Sequence, residues 1–228
     1  MLNPRPDLLE PTRIADVRQR FRREVKNGSK LDHPHIVRHL DFGEFSGEPF
    51  LVMERAVRSW GDVLDTEGPV AAGTVKAILR DALEGLAHIH GEGCIHRDIK
   101  PDNLLITNAG ITVIADLGIV RWSDLNPDFT SAGTMTRDSM QLGSWHYMAP
   151  EQLAAPHDAI PASDIYALGV SWYELLMRDV LTPQHFIARE LKPIPQWPEA
   201  REWILKMTTF DINRRPTLAA LLAAARSW

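Results

Sequence analysis

The chain has 228 residues, a formal net charge of −5 and a pI near 6.0, enough for one large domain or two small ones sharing a cleft. With 44% hydrophobic and 24% charged residues, it has an ordinary globular composition and no general basic surface for nucleic acid. A single cysteine, Cys94, excludes an internal disulfide framework and a multi-cysteine zinc site.

Residues 1–11 carry Pro4, Pro6 and Pro11, which remove backbone donors and predict irregular structure. This start has no apolar core for a signal peptide, and no later run approaches the roughly 20 apolar residues of a membrane span. A cytoplasmic protein without membrane contact is therefore expected. A helix is predicted over 14–26, where Val17, Phe21 and Val25 recur at four-residue spacing. Glu24 lies at the edge of that stripe, where an inward carboxylate requires a charged partner. His33-Pro34-His35 reads as a proline turn, since no third ligand sits at metal-binding spacing. Two strands follow over 36–42 and 50–54, joined by a hairpin loop over 43–48.

Val75, Ile78, Leu79, Ala82, Leu83, Leu86 and Ile89 repeat with helical period, and Gly91 is placed to stop the helix predicted over 75–90. Cys94 next to the apolar entry of the following motif reads as a buried structural thiol. That motif runs Ile95-His96-Arg97-Asp98-Ile99-Lys100-Pro101-Asp102-Asn103 and leads into the apolar Leu104-Leu105-Ile106. It sets a carboxylate, an ammonium and a carboxamide close together, as a site handling a hydroxyl, a phosphate and a metal requires. A strand over 111–115 ends at Asp116-Leu117-Gly118, where a carboxylate beside a flexible glycine suits a metal ligand. The hydroxyl-rich segment 119–148 exceeds an ordinary connection, which points to function. A central buried helix is predicted over 164–177, a loop-rich passage over 182–198, and closing helices over 203–207 and 217–224.

Taken in order, H-R-D-x-K-x-x-N at 96–103, Asp-Leu-Gly at 116–118, Ala149-Pro150-Glu151, Asp164 and Arg215 resemble the eukaryotic-type serine/threonine protein kinase family in its bacterial branch. The resemblance covers roughly 14–228 and implies an α+β, two-lobed protein kinase fold that uses ATP and Mg²⁺ on a protein substrate. Asp98 matches the catalytic aspartate and Lys100 the lysine that touches the transferred phosphate. Asn103 and Asp116 match the magnesium-holding pair. Met53 would back the adenine pocket, with Glu54 and Ala56 offering backbone bonds to adenine. Glu24 matches the glutamate of the small-lobe helix, Glu151 is expected to pair with Arg215, and Asp164 to brace the catalytic loop. Arg97 ahead of Asp98 implies control by phosphorylation of Thr134 or Thr136.

The sequence departs from the family at its start. A glycine-rich phosphate loop and a strand lysine are expected ahead of the Glu24 helix, yet the residues before Phe21 contain neither glycine nor lysine. The expected small lobe, 1–56, is then incomplete, with one helix and two strands, while the large lobe, 57–228, is whole and mainly helical. Losing one transition-state stabiliser costs on the order of 10²–10³ in rate. Three alternatives follow: a kinase whose true start lies upstream, a truncated pseudokinase acting as a binding module, or a fragment completed by a partner chain.

Overall fold

The computed structural model describes residues 31–45, 48–116, 144–154, 159–179, 181, 185 and 190–228. The helix expected over 14–26, with Glu24, and the hydroxyl-bearing Thr134 and Thr136 lie outside them. The described residues form a mixed α+β structure. Its strands are β1 (His39–Phe45), β2 (Glu48–Met53), β3 (Arg58–Ser59), β4 (Leu104–Ile106) and β5 (Thr112–Ile114); its helices are α1 (Trp60–Glu67), α2 (Ala72–Gly91), α3 (Pro150–Ala154), α4 (Pro161–Met177), α5 (Ala200–Met207) and α6 (Leu218–Ala225).

Helices α2 and α4 organise the core. The stripe from Val75 to Ile89 on α2 is buried, and α4 packs against both α2 and α5. Enclosed in this way, α4 buries residues around nearly its whole circumference, including Tyr166, Leu168, Trp172 and Tyr173. The Trp172 ring lies 4.9 Å from those of both Trp197 and Trp228, which closes the core beneath it. Cys94 is 1% exposed, a buried thiol whose pKa burial raises. Among the described residues no helix is long and apolar enough to cross a membrane.

The stretch predicted as one strand over 36–42 divides between two sheets. Ile36 and Val37 belong with β5: Ile36 bridges Ile114 in parallel, Val37 N–H donates to the Ile114 carbonyl at 2.9 Å, and Ile114 N–H donates to the His35 carbonyl at 2.9 Å. The chain then leaves that sheet, and β1 pairs antiparallel with β2. The hairpin loop is shorter than the predicted 43–48, because β1 runs to Phe45 and β2 starts at Glu48. Gly43 belongs to the ladder opposite Phe50, whose ring occupies the space a side chain would need: a Cβ there would stand 2.7 Å from it.

Strand β3 and helix α1 are elements the apolar periodicity did not reveal. The start of α1 is set by Ser59, whose hydroxyl accepts from Asp62 N–H at 3.0 Å while Asp62 accepts from Ser59 N–H at 2.8 Å, a reciprocal capping box. Strand β3 completes the antiparallel order β3-β4-β5.

The 35–37 segment reaches β5 by passing over Gly85 of α2, where an added Cβ would stand 2.7 Å from the His35 carbonyl oxygen and 3.0 Å from Ile114 Cδ1. That oxygen belongs to the backbone bonded to Ile114 and has little room to retreat. Gly85→Ala should therefore lower stability by about 1–3 kcal/mol through overpacking, read as a fall in the urea midpoint; an unchanged midpoint would contradict this account of the contact.

Candidate functional site

The loop between α2 and β4 brings three polar side chains together by local geometry. Pro101 begins a 3-10 turn over Pro101–Asn103, and Asn103 N–H closes back onto the Lys100 carbonyl at 3.0 Å. The turn folds Asn103 under Asp98, so that its Nδ2 donates to the Asp98 carbonyl at 2.7 Å and to Asp98 Oδ2 at 3.0 Å. Lys100 Nζ meets the same Oδ2 at 2.8 Å. Lys100 and Asn103 are each 7% exposed, so these charge-assisted contacts form where water competes weakly. Asn103 spends its side-chain Nδ2 on Asp98, which leaves its Oδ1 as a potential ligand atom.

Asp116 is joined to this loop through the residue before it. Ala115 N–H donates to the Asn103 carbonyl at 2.9 Å, and His96 Nε2 bonds the Ala115 carbonyl at 2.8 Å. Because Asp98 N–H donates to His96 Nδ1 at 3.3 Å, the His96 proton belongs on Nε2. Asp116 itself is exposed and has φ 60; Arg97 has φ 74. Left-handed backbone at two non-glycine residues flanking one site is sparsely populated geometry that the surroundings must sustain.

Asp164 supplies much of that support. Its carboxylate is fully buried, with Oδ2 accepting from His96 N–H at 2.9 Å and Oδ1 from Arg97 N–H at 2.7 Å. His90 Nε2 lies 2.7 Å from Oδ2. His90 was not legible as a site residue, since it sits on the last turn of a helix whose stripe indicates packing alone. Gln152 carries no sequence signal either; its side chain accepts from Ala149 N–H at 3.1 Å and donates to the Arg97 carbonyl at 3.3 Å.

A second buried charge network closes the far side. Arg215 Nη1 and Nη2 donate to Glu151 Oε1 and Oε2 at 2.6 and 2.9 Å. Nη1 and Nε also donate to the Ala162 and Thr209 carbonyls respectively, each at 2.9 Å. Ser163 Oγ donates to Glu151 Oε1 at 2.8 Å. Burial pushes the Glu151 carboxyl up, but the hydrogen bonds from Arg215 and Ser163 and the guanidinium charge outweigh it and hold the pKa below its ordinary value.

Tyr147, from the 3-10 turn Ser144–Tyr147, donates its hydroxyl to Glu174 of α4. Burial raises the Glu174 pKa to about 7, opposed by the Tyr147 bond and reinforced by Asp102 and Asp65. Burial and the Glu174 charge also raise Tyr147 strongly, with Asp102 and Asp98 adding to the effect. The remaining expected site residues are more open: Met53 is 43% exposed at the end of β2, and Glu54 N–H is engaged by the Arg38 carbonyl at 2.8 Å.

Two stability predictions follow from these carboxylates. Arg215→Leu strands Glu151 without its cation and should cost about 3–5 kcal/mol at neutral pH in urea unfolding. In the unaltered protein the contribution of the depressed Glu151 pKa is full above the ordinary 4.5 and lost as pH falls through the lower folded value; in Arg215→Leu that acid loss should disappear. Glu174 has the opposite sign, because its raised pKa favours the folded state below 4.5 and that advantage fades as pH rises towards about 7. Glu174→Gln should flatten the pH dependence of thermal unfolding across that window, and an unaltered slope would refute the assignment.

Comparison with known proteins agrees with this architecture. The family model for the protein kinase domain matches residues 9–225. A probable serine/threonine-protein kinase of Corynebacterium efficiens is 40% identical over 168 residues, covering 71% of this chain and 24% of that protein. The serine/threonine-protein kinase PrkC of Bacillus subtilis is 35% identical over 188 residues, covering 81% of this chain and 28% of its own length. PknL of Mycobacterium tuberculosis, also a serine/threonine-protein kinase, is 38% identical over 158 residues, or 69% and 38% of the two chains. This chain thus spans a minor part of the length of the relatives it matches. With its loop geometry and this match over nearly its whole length, the chain belongs to the protein kinase domain family.

Proposed function

We propose that the chain is a serine/threonine protein kinase domain that transfers the γ-phosphate of ATP to protein hydroxyls. The observation that carries this reading is the joint arrangement of Asp98, Lys100 and Asn103, with Lys100 Nζ and Asn103 Nδ2 both on Asp98 Oδ2 at 2.8 and 3.0 Å. Asp98 orients the incoming serine or threonine hydroxyl and accepts its proton as the oxygen bonds to phosphorus and ADP leaves. Lys100 offers positive charge to the phosphoryl group in transit. Catalysis of this kind depends on position and electrostatics more than on covalent chemistry.

The side-chain Oδ1 of Asn103 and the exposed carboxylate of Asp116 make a hard, oxygen-only donor pair, which suits Mg²⁺. When bound there, Mg²⁺ would supply charge neutralisation to the nucleotide's phosphates. Met53, Glu54 and Ala56 line the adenine side in this reading; since Glu54 N–H is taken by Arg38, its carbonyl is the group offered to the base. The same stretch supports a division at 56/57: Glu54 N–H bonds back to Arg38, the residue before β1, whereas Val57 N–H donates to the Ile106 carbonyl of the second sheet at 2.8 Å. Residues 1–56 then belong to the small lobe and 57–228 to the large one. Regulation by phosphate on Thr134 or Thr136, received by Arg97, belongs to the same proposal.

The test is phosphotransfer by this chain to a mixed protein substrate with ATP and Mg²⁺, read as phosphoserine and phosphothreonine by mass spectrometry. Asp98→Asn should reduce the rate by roughly 10²–10⁴, the usual contribution of a positioned acid or base, while leaving nucleotide binding in place. Neither phosphotransfer nor saturable ATP–Mg²⁺ binding at millimolar nucleotide would overturn the proposal and favour a binding module.

A further inference from the structure

We infer that Gln152 is a positioning residue for Asp98; its consequence for rate rests on the phosphotransfer reading above. Gln152 follows Glu151 in the short helix α3 and is only 6% exposed. Its Oε1 accepts from Ala149 N–H and its Nε2 donates to the Arg97 carbonyl. The partners dictate the orientation of the carboxamide, because a backbone N–H only donates and a carbonyl only accepts. One side chain therefore ties the turn at 149–152 to the loop that carries Asp98.

The bond matters because of the peptide group it holds. The Arg97 carbonyl belongs to the plane joining Arg97 to Asp98, and the N–H of that plane donates to His96 Nδ1 at 3.3 Å. The plane is thus gripped at both ends, by Gln152 on its oxygen and by His96 on its nitrogen. The preceding plane is held by Asp164 on the Arg97 N–H. Between the two planes sits the Arg97 Cα with φ 74, a conformation that persists only when its neighbours over-determine it.

If the oxygen end is released, the Arg97–Asp98 plane can rotate towards ordinary backbone. That rotation turns the Asp98 Cα and carries its carboxylate off Lys100 Nζ and Asn103 Nδ2. Asp164 and Gln152 thus act on opposite sides of Arg97. The first comes from α4 and the second from α3, so the loop is referenced to two separate elements.

Two variants separate positioning from simple packing. Gln152→Glu keeps an acceptor for Ala149 but sets an oxygen against the Arg97 carbonyl, whereas Gln152→Met, of similar volume, removes both bonds. Both should lower kcat on the order of tenfold to a hundredfold, as small displacements of reacting groups do, with KM for ATP unchanged. Both should also speed amide hydrogen exchange at Asp98, while Gln152→Glu leaves the Ala149 amide protected. If Gln152 merely caps α3, Gln152→Glu will match the unaltered chain in kcat and in Asp98 exchange, and the inference is overturned. Should the unaltered chain neither transfer phosphate nor bind ATP–Mg²⁺, the proposed function fails independently of this inference. Asp98 exchange still decides this inference: acceleration in the variants supports it and unaltered exchange overturns it. Should Gln152→Glu not fold, Gln152→Met carries the same exchange comparison.

Discussion

Asp164 is fully buried, and each of its oxygens accepts a backbone N–H from the 95–103 loop, with His90 as a further partner on Oδ2. A buried carboxylate deprived of such partners carries a desolvation penalty of several kcal/mol. The same contacts sustain the left-handed backbone of Arg97, whose intrinsic cost is of order 1–3 kcal/mol. Carboxylate and loop therefore stabilise each other: the burial of Asp164 needs the two amides, and the strained turn needs the carboxylate. Asp98 inherits its position from this exchange, as do Lys100 and Asn103 through their bonds to it.

Helix α4 makes that arrangement possible because it is buried on nearly every side and held between α2 and α5. It presents Asp164 at its first turn and Glu174 towards its other end, ten residues later and so about 15 Å along the axis. Each carboxylate reaches a different segment, the 95–103 loop in one case and Tyr147 in the other. A third carboxylate, Glu151, is secured from outside the helix by Arg215 and from its first turn by Ser163. Three acidic groups are thereby referenced to one rigid element. Glu151 and Glu174 differ in protonation with their partners: a guanidinium lowers the pKa of Glu151, while burial with only a phenol raises that of Glu174.

The two sheets meet this framework differently. The β3-β4-β5 sheet is anchored by Ile36 and Val37, by the Trp60 indole donating to Thr112 Oγ1 at 3.1 Å, and by Asp81 accepting from Thr112 N–H at 2.8 Å. The β1-β2 hairpin instead leaves Leu40, Phe42, Phe45, Phe50 and Val52 exposed. One stretch thus serves two purposes, Val37 packing with Val113 and Ala115 and the residues from His39 onward forming the ladder with β2.

The linear motif from His96 to Asn103 was legible because its polar groups lie within one turn of chain, where spacing alone brings them together. Helices α2 and α4 were legible for a related reason, since an apolar period records which faces are buried. The pairing of Glu151 with Arg215 and the reach of Asp164 to the loop could be expected only through family resemblance, as nothing local connects residues so far apart. Other features belong to the tertiary structure alone: His90 on Asp164, Gln152 on Arg97, Tyr147 on Glu174, and the division of the 36–42 run between two sheets. Each depends on where separate elements cross. Hydrophobic period encodes burial and short motifs encode local chemistry, but the partner of a buried polar group is chosen by packing.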